Sequence, residues 1–190
     1  MCTDPIFPEF PVYGSNNWYY AYGDSSEEEI LSDTDYILKL TEGVKNPPFM
    51  VIDDCWQEHH RLDEYNGGPW TKGNARFPDM KGLADYVHSL GLKIGIYSSP
   101  GPWTCGGCVG SYGFEKQDAE SYAKWGFDYL KYDWCSYGNV INGLPNNDPS
   151  KVSSLSYNGG NELNTAIKPF KVMGEYLRQQ PRDIVYSVCQ

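Results

Sequence analysis

The chain has 190 residues, of which 40% are hydrophobic, and its acidic residues outnumber the basic ones by 25 to 15. This composition is typical of a globular protein with one sizeable core. A formal net charge of −10, without a cluster of Lys or Arg, argues against nucleic acid or an anionic membrane surface as a partner. No apolar run approaches the roughly 20 residues that span a bilayer, so we also expect no membrane insertion.

Short apolar runs alternate with amphipathic stretches along the chain. Residues 1–13 are rich in Pro and aromatic residues and are predicted to form an irregular lead-in, with one domain over 14–190. An aromatic first strand is predicted at 16–22, and Ser26-Glu27-Glu28-Glu29 has the form of a capping box that begins a helix. The later elements follow in order: a strand at 49–52, a helix at 79–90, a strand at 93–97, a helix at 114–125, a strand at 127–132, a helix at 162–177 and a strand at 184–188.

The alternation of strands and helices predicts an α/β fold with a parallel sheet. No Gly-x-Gly-x-x-Gly motif follows the first strand, so a dinucleotide-binding fold loses its main support. The segments after strands (57–78, 101–113 and 137–160) are long and polar, whereas those before strands are short. This asymmetry is typical of a (β/α)8 TIM barrel, whose active site lies at the carboxyl ends of the strands. A barrel needs about 250 residues, so we expect one that is truncated after about strand five.

Carboxylates and a lysine stand at the predicted carboxyl ends of two strands. Asp53 and Asp54 end strand two, and Lys131 and Asp133 end strand four. Strand alternation places Lys131 and Asp133 on one face, where the cation would favour the ionised carboxylate that a nucleophile needs. The alternative is a structural ion pair inside the barrel. Because a long loop follows Asp53 and Asp54, hydroxyl recognition is favoured over helix capping for them.

Aromatic residues near these strand ends could offer flat faces to a sugar. The candidates are Trp18, Trp56, Tyr97, Trp103 and Trp134. Packing in the core is the alternative, and it is favoured for Trp56 and Trp125. Carboxylates and aromatic rings, without a phosphate-binding loop, indicate a neutral polyol as the ligand.

Cys105 and Cys108 form a single Cys-x-x-Cys motif. A zinc or redox site would need a second Cys/His pair at ligand spacing or a thioredoxin-like context, so no metal site is predicted. Pairing of Cys105 with Cys135 is favoured instead, since it would join the loop after strand three to the end of strand four. Such a bond implies an oxidising compartment, although the first residues lack the features of a signal peptide. His59 and His60 are interpreted as solvated loop residues.

Several motifs, in this order and spacing, resemble glycoside hydrolase family 27. They are Ile52-Asp53-Asp54-Cys55-Trp56, the run from Phe77 to Lys93, Gly95-Ile96-Tyr97, Thr104-Cys105 and the run from Trp125 to Asp133. That family contains α-galactosidases (melibiases) and α-N-acetylgalactosaminidases. The resemblance extends from about Gly14 to the C-terminus and implies the amino-terminal part of the catalytic barrel.

The resemblance implies a retaining hydrolase that removes terminal α-linked galactose from oligosaccharides or glycoconjugates, with Asp133 as the catalytic nucleophile. It implies substrate-binding roles for Trp18, Asp53, Asp54, Tyr97 and Lys131. Cys105 and Cys135 would form a disulfide beside the site, and no metal or organic cofactor is implied. The partner would be a galactose-containing saccharide, met in a secreted, periplasmic or lysosome-like compartment.

Three features depart from the family pattern. Residues 14–18 keep only part of the usual Gly-Trp-Asn-Ser-Trp opening, and Gln190 stands where a Glu commonly follows the cysteine. The family's acid/base Asp belongs to a motif near strand six, beyond residue 190. We therefore expect these 190 residues alone to be inactive and poorly stable, with the fifth strand exposed as a sheet edge. The alternatives are a same-family hydrolase for an α-N-acetylgalactosaminide, a β-L-arabinopyranoside or an isomaltose-type substrate, and a non-catalytic galactose-binding relic.

Overall fold

The computed structural model describes residues 11–57, 73–141 and 162–189, which contain one parallel sheet of five strands. The strands are β1 (Gly14–Asn16), β2 (Phe49–Val51), β3 (Lys93–Ser98), β4 (Tyr129–Asp133) and β5 (Val185–Cys189). Each strand pairs in parallel with the next one along the chain, so sequence order and spatial order agree. The predicted α/β class is therefore confirmed, and the strand order is that of a (β/α)8 barrel over its first five strands.

Helices connect the strands. They are α1 (Trp18–Ala21), α2 (Glu27–Leu40), α3 (Met80–Ser89), α4 (Glu115–Trp125), α5 (Tyr137–Ile141) and α6 (Glu162–Arg178). The Ser26 hydroxyl accepts a hydrogen bond from the Glu29 N–H, as the predicted capping box requires. Gly126 ends α4 in the left-handed conformation, with φ of 96°. Within the described ranges, no helix combines the length and the hydropathy needed to cross a membrane.

The first strand is shorter than the sequence predicts. Its last residue, Asn16, accepts a hydrogen bond from the Trp18 N–H through its side-chain oxygen, and the Ala21 N–H bonds to the Asn17 carbonyl. These two bonds turn the chain into α1, so the strand predicted at 16–22 is wrong beyond its first residue. The tyrosines of this segment are exposed rather than buried in a sheet, Tyr19 by 85%.

The segment after β4 also differs from its prediction, because α5 occupies the first part of the loop predicted at 137–160. Other predictions lie outside the described residues. They concern residues 1–10 of the lead-in, the loop residues 58–72 with His59 and His60, the loop residues 142–161, and Gln190.

The two faces of β4 show how the sheet separates core from site. Leu130 and Tyr132 point to the helices and join the main hydrophobic cluster, whereas Lys131 and Asp133 lie on the opposite face and are partly exposed. Trp56 and Trp125 also belong to the core, as favoured from the sequence, with their ring centroids 5.8 Å apart. At the edge of the described sheet, β5 pairs with β4, and its Val188 is exposed.

A polar cluster holds the amino ends of the strands together. Asp128, just before β4, accepts hydrogen bonds from His88 Nε2 at 2.7 Å, Lys93 Nζ at 3.3 Å and Arg182 Nη2 at 2.6 Å. Its carboxylate also accepts from the backbone N–H of Ile94 at 3.1 Å. Burial raises the pKa of Asp128, but the His88 and Ile94 hydrogen bonds and the charges of Lys93 and Arg182 outweigh burial and lower it overall. We call these four side chains the amino-end cluster.

Candidate active site

Three carboxylates stand at the carboxyl ends of two strands. Asp53 and Asp54 lie two and three residues after the end of β2, and Asp133 is the last residue of β4. The register places Lys131 opposite Tyr97 of β3 and Asp133 opposite Cys189 of β5. Because parallel strands end at one edge of the sheet, these side chains share the edge at which barrel enzymes place their chemistry.

Asp53 is the most tightly held of the three carboxylates and is only 1% exposed. Its Oδ2 accepts hydrogen bonds from Asn16 Nδ2 at 2.6 Å and from Lys131 Nζ at 2.7 Å. Its Oδ1 accepts from the Asp54 N–H at 2.9 Å, and its own N–H donates to Asn17 Oδ1. Side chains from β1 and β4 therefore meet on this carboxylate, which lies just after β2. We call Asp53, Lys131 and Asn16 the carboxyl-end cluster.

Lys131 pairs with a different carboxylate from the one that the sequence suggests. The predicted partner was Asp133, but the hydrogen bond goes to Asp53. Lys131 and Asp133 are two residues apart on one strand, so their side chains run side by side, whereas the long lysine chain reaches across to the end of β2. Burial lowers the pKa of Lys131, but the hydrogen bond and charge of Asp53, with the charge of Asp133, raise it overall. The ammonium group also lies 5.0 Å from the centre of the Tyr97 ring.

Asp54 faces the loop that follows β3. Its Oδ1 accepts a hydrogen bond from the Cys55 N–H at 2.7 Å and its Oδ2 accepts from the Gly106 N–H at 2.6 Å. The Thr104 hydroxyl donates a further bond. Burial raises the pKa of Asp54 by more than these hydrogen bonds lower it. Asp54 therefore holds the loops after β2 and β3 together.

Asp133 is half-buried, and so is more accessible than Asp53 and Asp54. Its Oδ1 accepts a hydrogen bond from the Trp134 N–H at 2.8 Å. Burial raises the pKa of the neighbouring Cys189 thiol, and the charge of Asp133 and a hydrogen bond with its carboxylate raise it further. The Asp133 carboxylate therefore lies at the carboxyl ends of the strands, near Lys131, whose ammonium group bonds to Asp53.

The predicted disulfide between Cys105 and Cys135 is present, with Cα atoms 5.0 Å apart. A carboxylate oxygen of Asp133 lies within 4.8 Å of both sulfur atoms. The buried Tyr97 hydroxyl lies 3.2 Å from Cys135 Sγ and must be the donor, because a disulfide sulfur carries no hydrogen. Burial, with the charges of the three aspartates, raises the pKa of Tyr97, so the phenol keeps that proton.

Most of the aromatic residues proposed as sugar platforms serve in packing. Trp56 and Trp103 are 0% and 2% exposed, so the sugar-facing interpretation is wrong for both. The Trp134 ring is stacked on Phe170 of α6, with centroids 5.8 Å apart. Trp18 begins α1 at the same edge as the carboxylates and is half-buried. Of the predicted tryptophans, Trp18 is thus the one whose place suits a ligand.

Two groups in the described part of the chain bring three possible metal ligands together. One consists of Cys105, Asp133 and Cys135, whose two sulfurs are already joined. The other consists of Asp54, Cys55 and Cys108, all buried. A disulfide sulfur is a poor ligand because metals bind the thiolate, so only the second group offers thiols.

Two residues of the site were not singled out from the sequence as functional. Asn16 supports Asp53, and it is the asparagine that this chain retains from the family's opening motif, so a signal existed. Cys189 contacts Asp133 from β5, and only its position at a strand end marked it.

Comparison with known proteins shows which family the chain resembles. The family model for alpha galactosidase A matches residues 25–163. A probable alpha-galactosidase B of Penicillium simplicissimum is 35% identical over 94% of this chain and 44% of its own. The alpha-galactosidase of Cyamopsis tetragonoloba is 42% identical over 95% of this chain and 38% of its own.

A solved structure, alpha-galactosidase I from Mortierella vinacea, matches with a TM-score of 0.78 at 32% identity, covering 99% of this chain and 42% of that one. The chain thus spans less than half the length of the relatives it matches. The match over nearly all of its residues supports the barrel interpretation of the five-stranded sheet. The chain belongs to glycoside hydrolase family 27, the family of the α-galactosidases.

Proposed function

We propose that this chain carries the nucleophile and part of the sugar-binding site of a retaining α-galactosidase. Asp133 attacks the anomeric carbon of a terminal α-galactoside, and water then releases galactose from the covalent intermediate with retention. The observation that carries this proposal is the contrast among the carboxylates. Asp53 and Asp54 are buried and held by several donors, whereas Asp133 is half-buried at the end of β4.

The carboxyl-end cluster and its neighbours bind the sugar. Lys131 has three donors, one of which Asp53 uses, so the others can meet hydroxyl groups. Asp53 and Asp54 accept hydrogen bonds from hydroxyl groups with their remaining lone pairs. Trp18 lines the pocket, and the buried Tyr97 ring supports Lys131 from beneath.

A retaining mechanism also needs a carboxylic acid that protonates the leaving oxygen. Neither Asp53 nor Asp54 suits this role. Asp53 is paired with a lysine, and both oxygens of Asp54 accept hydrogen bonds from backbone N–H groups. We therefore assign the acid to a residue outside the described ranges and expect these residues alone not to hydrolyse ordinary glycosides.

Galactose is the proposed substrate because relatives above 30% identity carry the name alpha-galactosidase. The Cys105–Cys135 disulfide supports an oxidising setting, so we propose a secreted, periplasmic or lysosome-like location.

Covalent trapping tests the nucleophile without needing the acid, because fluoride leaves without protonation. The chain is incubated with 5-fluoro-α-D-galactosyl fluoride, reduced, alkylated and digested with trypsin, which releases residues 132–151 as one peptide. We expect one galactosyl adduct on that peptide, located at Asp133 by fragmentation. The glucosyl epimer should react at least about 10-fold more slowly, because its 4-hydroxyl has the opposite orientation to that of galactose.

An adduct on another carboxylate, or no adduct at saturating reagent, would refute Asp133 as the nucleophile. Equal labelling by the two epimers would leave the nucleophile in place but contradict the preference for galactose.

A further inference from the structure

A second pair of cysteines lies beneath Asp54, apart from the Cys105–Cys135 disulfide. Cys55 follows Asp54 directly, and Cys108 ends the Cys-x-x-Cys motif. Their sulfur atoms lie within 4.8 Å of each other and of an Asp54 oxygen, and the residues are 5% and 0% exposed. The two thiols share a hydrogen bond, and Cys55 Sγ lies 3.8 Å from the Gly106 carbonyl oxygen.

The backbone on both sides holds these sulfurs in place. Cys55 has φ of 69°, a left-handed conformation that side-chain-bearing residues rarely adopt. A turn fixes Cys108, because Thr104 and Cys108 exchange hydrogen bonds of 2.8 and 2.9 Å. Between them, a Cβ on Gly106 would lie 2.5 Å from Cys55 Sγ, so the glycine lets the sulfur approach the turn.

A metal ion fits this group poorly. A structural zinc site needs four ligands, and this group offers two thiols and one carboxylate. Both oxygens of Asp54 already accept short hydrogen bonds from backbone N–H groups. What remains is two thiols that share a hydrogen bond, with their sulfur atoms within 4.8 Å of each other. A disulfide brings such a pair to about 2.05 Å.

We propose that Cys55 and Cys108 form a second disulfide that joins the loop after β2 to the loop after β3 beneath Asp54. The oxidant is a small-molecule or protein disulfide. One cysteine thiolate attacks it to give a mixed disulfide, and the other cysteine then displaces the second sulfur. Overall the two cysteines lose two electrons and two protons, the S–S bond of the oxidant breaks, and two new thiols leave.

The bond forms before the loops close during folding. In the folded chain both thiols are buried away from a bulky oxidant, and the hydrogen bond with Cys55, together with burial, raises the pKa of Cys108. Thiolate is therefore scarce once the loops have closed. The Cys-x-x-Cys turn is then held by two disulfides. Cys105 joins it to Cys135 after β4, and Cys108 joins it to Cys55 after β2.

Peptide mapping of the unmodified chain tests this directly. The chain is unfolded with an alkylating reagent present and digested with trypsin without reduction. Cys55 falls in peptide 46–61, Cys105 and Cys108 in peptide 94–116, and Cys135 in peptide 132–151. We expect one species of all three peptides that separates on reduction. Only Cys2 and Cys189 of the six cysteines should be alkylated.

Recovery of peptide 46–61 alone, with an alkylated Cys55, would overturn the proposal. So would stoichiometric bound zinc together with four alkylated cysteines. Cys108→Ser should release peptide 46–61 and leave 94–116 joined to 132–151, whereas Cys189→Ser, the matched control, should keep all three joined. If peptide 46–61 stayed attached in Cys108→Ser, Cys55 would be paired with another cysteine and the proposed bond would be wrong.

Discussion

At the amino end of the sheet, Asp128 accepts hydrogen bonds from three basic side chains, those of His88, Lys93 and Arg182. At the carboxyl end, a single lysine, Lys131, bonds to Asp53, and the nearby charge of Asp133 helps to raise the pKa of that lysine. Each end therefore has a buried carboxylate that bonds to a basic side chain. Basic groups outnumber carboxylates at the amino end, and carboxylates outnumber basic groups at the carboxyl end.

We infer from this difference that the amino end stabilises the fold, whereas the carboxyl end carries the reactive group. Three basic groups around one carboxylate leave it with no capacity for further chemistry, so the amino-end cluster ties α3, β3, β4 and the segment before β5 together. One cation among several carboxylates leaves Asp133 accessible at the mouth. Barrel enzymes generally divide their two ends in this way, and the predictions below test whether the division holds here.

The largest expected effect is on covalent labelling at the carboxyl end. Asp133→Asn replaces the nucleophilic carboxylate with a neutral amide, so adduct formation with the fluorinated galactosyl fluoride should fall by a factor of about 10⁴ or more. The free energy of unfolding should change by less than about 0.5 kcal/mol, since Asp133 is partly exposed. Labelling is followed by mass spectrometry and stability by urea unfolding.

Exposed Asp183 offers the matched control. Asp183→Asn should label at the unmodified rate. If Asp133→Asn labelled normally, the carboxyl end would have no special reactivity and the comparison would fail.

The next largest effect is on stability at the amino end. Asp128→Ala leaves Lys93 and Arg182 without their buried acceptor and removes four hydrogen bonds. We expect a loss of about 2–3 kcal/mol in the free energy of unfolding, because both cations are partly exposed and can recover some hydration. A loss below about 0.5 kcal/mol, measured by urea unfolding, would show that this cluster does not hold the sheet.

Much of this division was readable from the sequence. Apart from α5, the elements from α2 to β5 follow periodicity, capping and glycine signals, and Asp53, Asp54, Lys131 and Asp133 were all located at strand ends. The aromatic run at 16–22 misled, because the side-chain oxygen of one asparagine turns the chain and β-propensity cannot reveal that. Strand alternation gave the face of Lys131 but not its partner, since reaching Asp53 depends on how strands far apart in sequence align.

The amino-end cluster could not be predicted for the same reason. Its members come from α3, β3, the start of β4 and the segment before β5, and no local pattern joins His88 to Arg182. Asp128 precedes a strand, where a sequence-based search for catalytic carboxylates does not look.

Replacing the lysine of each cluster gives an intermediate effect. Lys131→Met leaves the buried Asp53 without its cation, and we expect a loss of about 1–2 kcal/mol in the free energy of unfolding. Labelling of Asp133 should slow by a factor of about 10², because the sugar loses a donor. Lys93→Met should cost less than about 1 kcal/mol, since Lys93 is 43% exposed and Arg182 and His88 still serve Asp128. Equal losses in the free energy of unfolding for the two variants would contradict the view that Asp53 depends on one lysine whereas Asp128 has three basic partners.

The smallest expected effect is on how stability depends on pH. We expect the amino end to contribute on the acid side and the carboxyl end on the alkaline side. The pKa of Asp128 is lower in the folded chain than its ordinary 3.8, so the unfolded chain binds its proton first as pH falls. Its stabilisation is complete above pH 3.8 and is lost as pH falls through the folded pKa. The pKa of Lys131 is raised above 10.5, so its stabilisation is complete below that pH and is lost as pH rises through the folded pKa.

Unfolding in urea across both pH ranges separates the two contributions. Asp128→Asn should flatten the acid side of the stability curve, relative to the unmodified chain, and leave the alkaline side alone. Lys131→Met should do the reverse. Because each variant is compared with the unmodified chain at the same pH, the titration of other carboxylates, including the raised pKa of Asp54, cancels. If Lys131→Met flattened the acid side instead, the carboxyl end would share in the acid stability that we assign to Asp128.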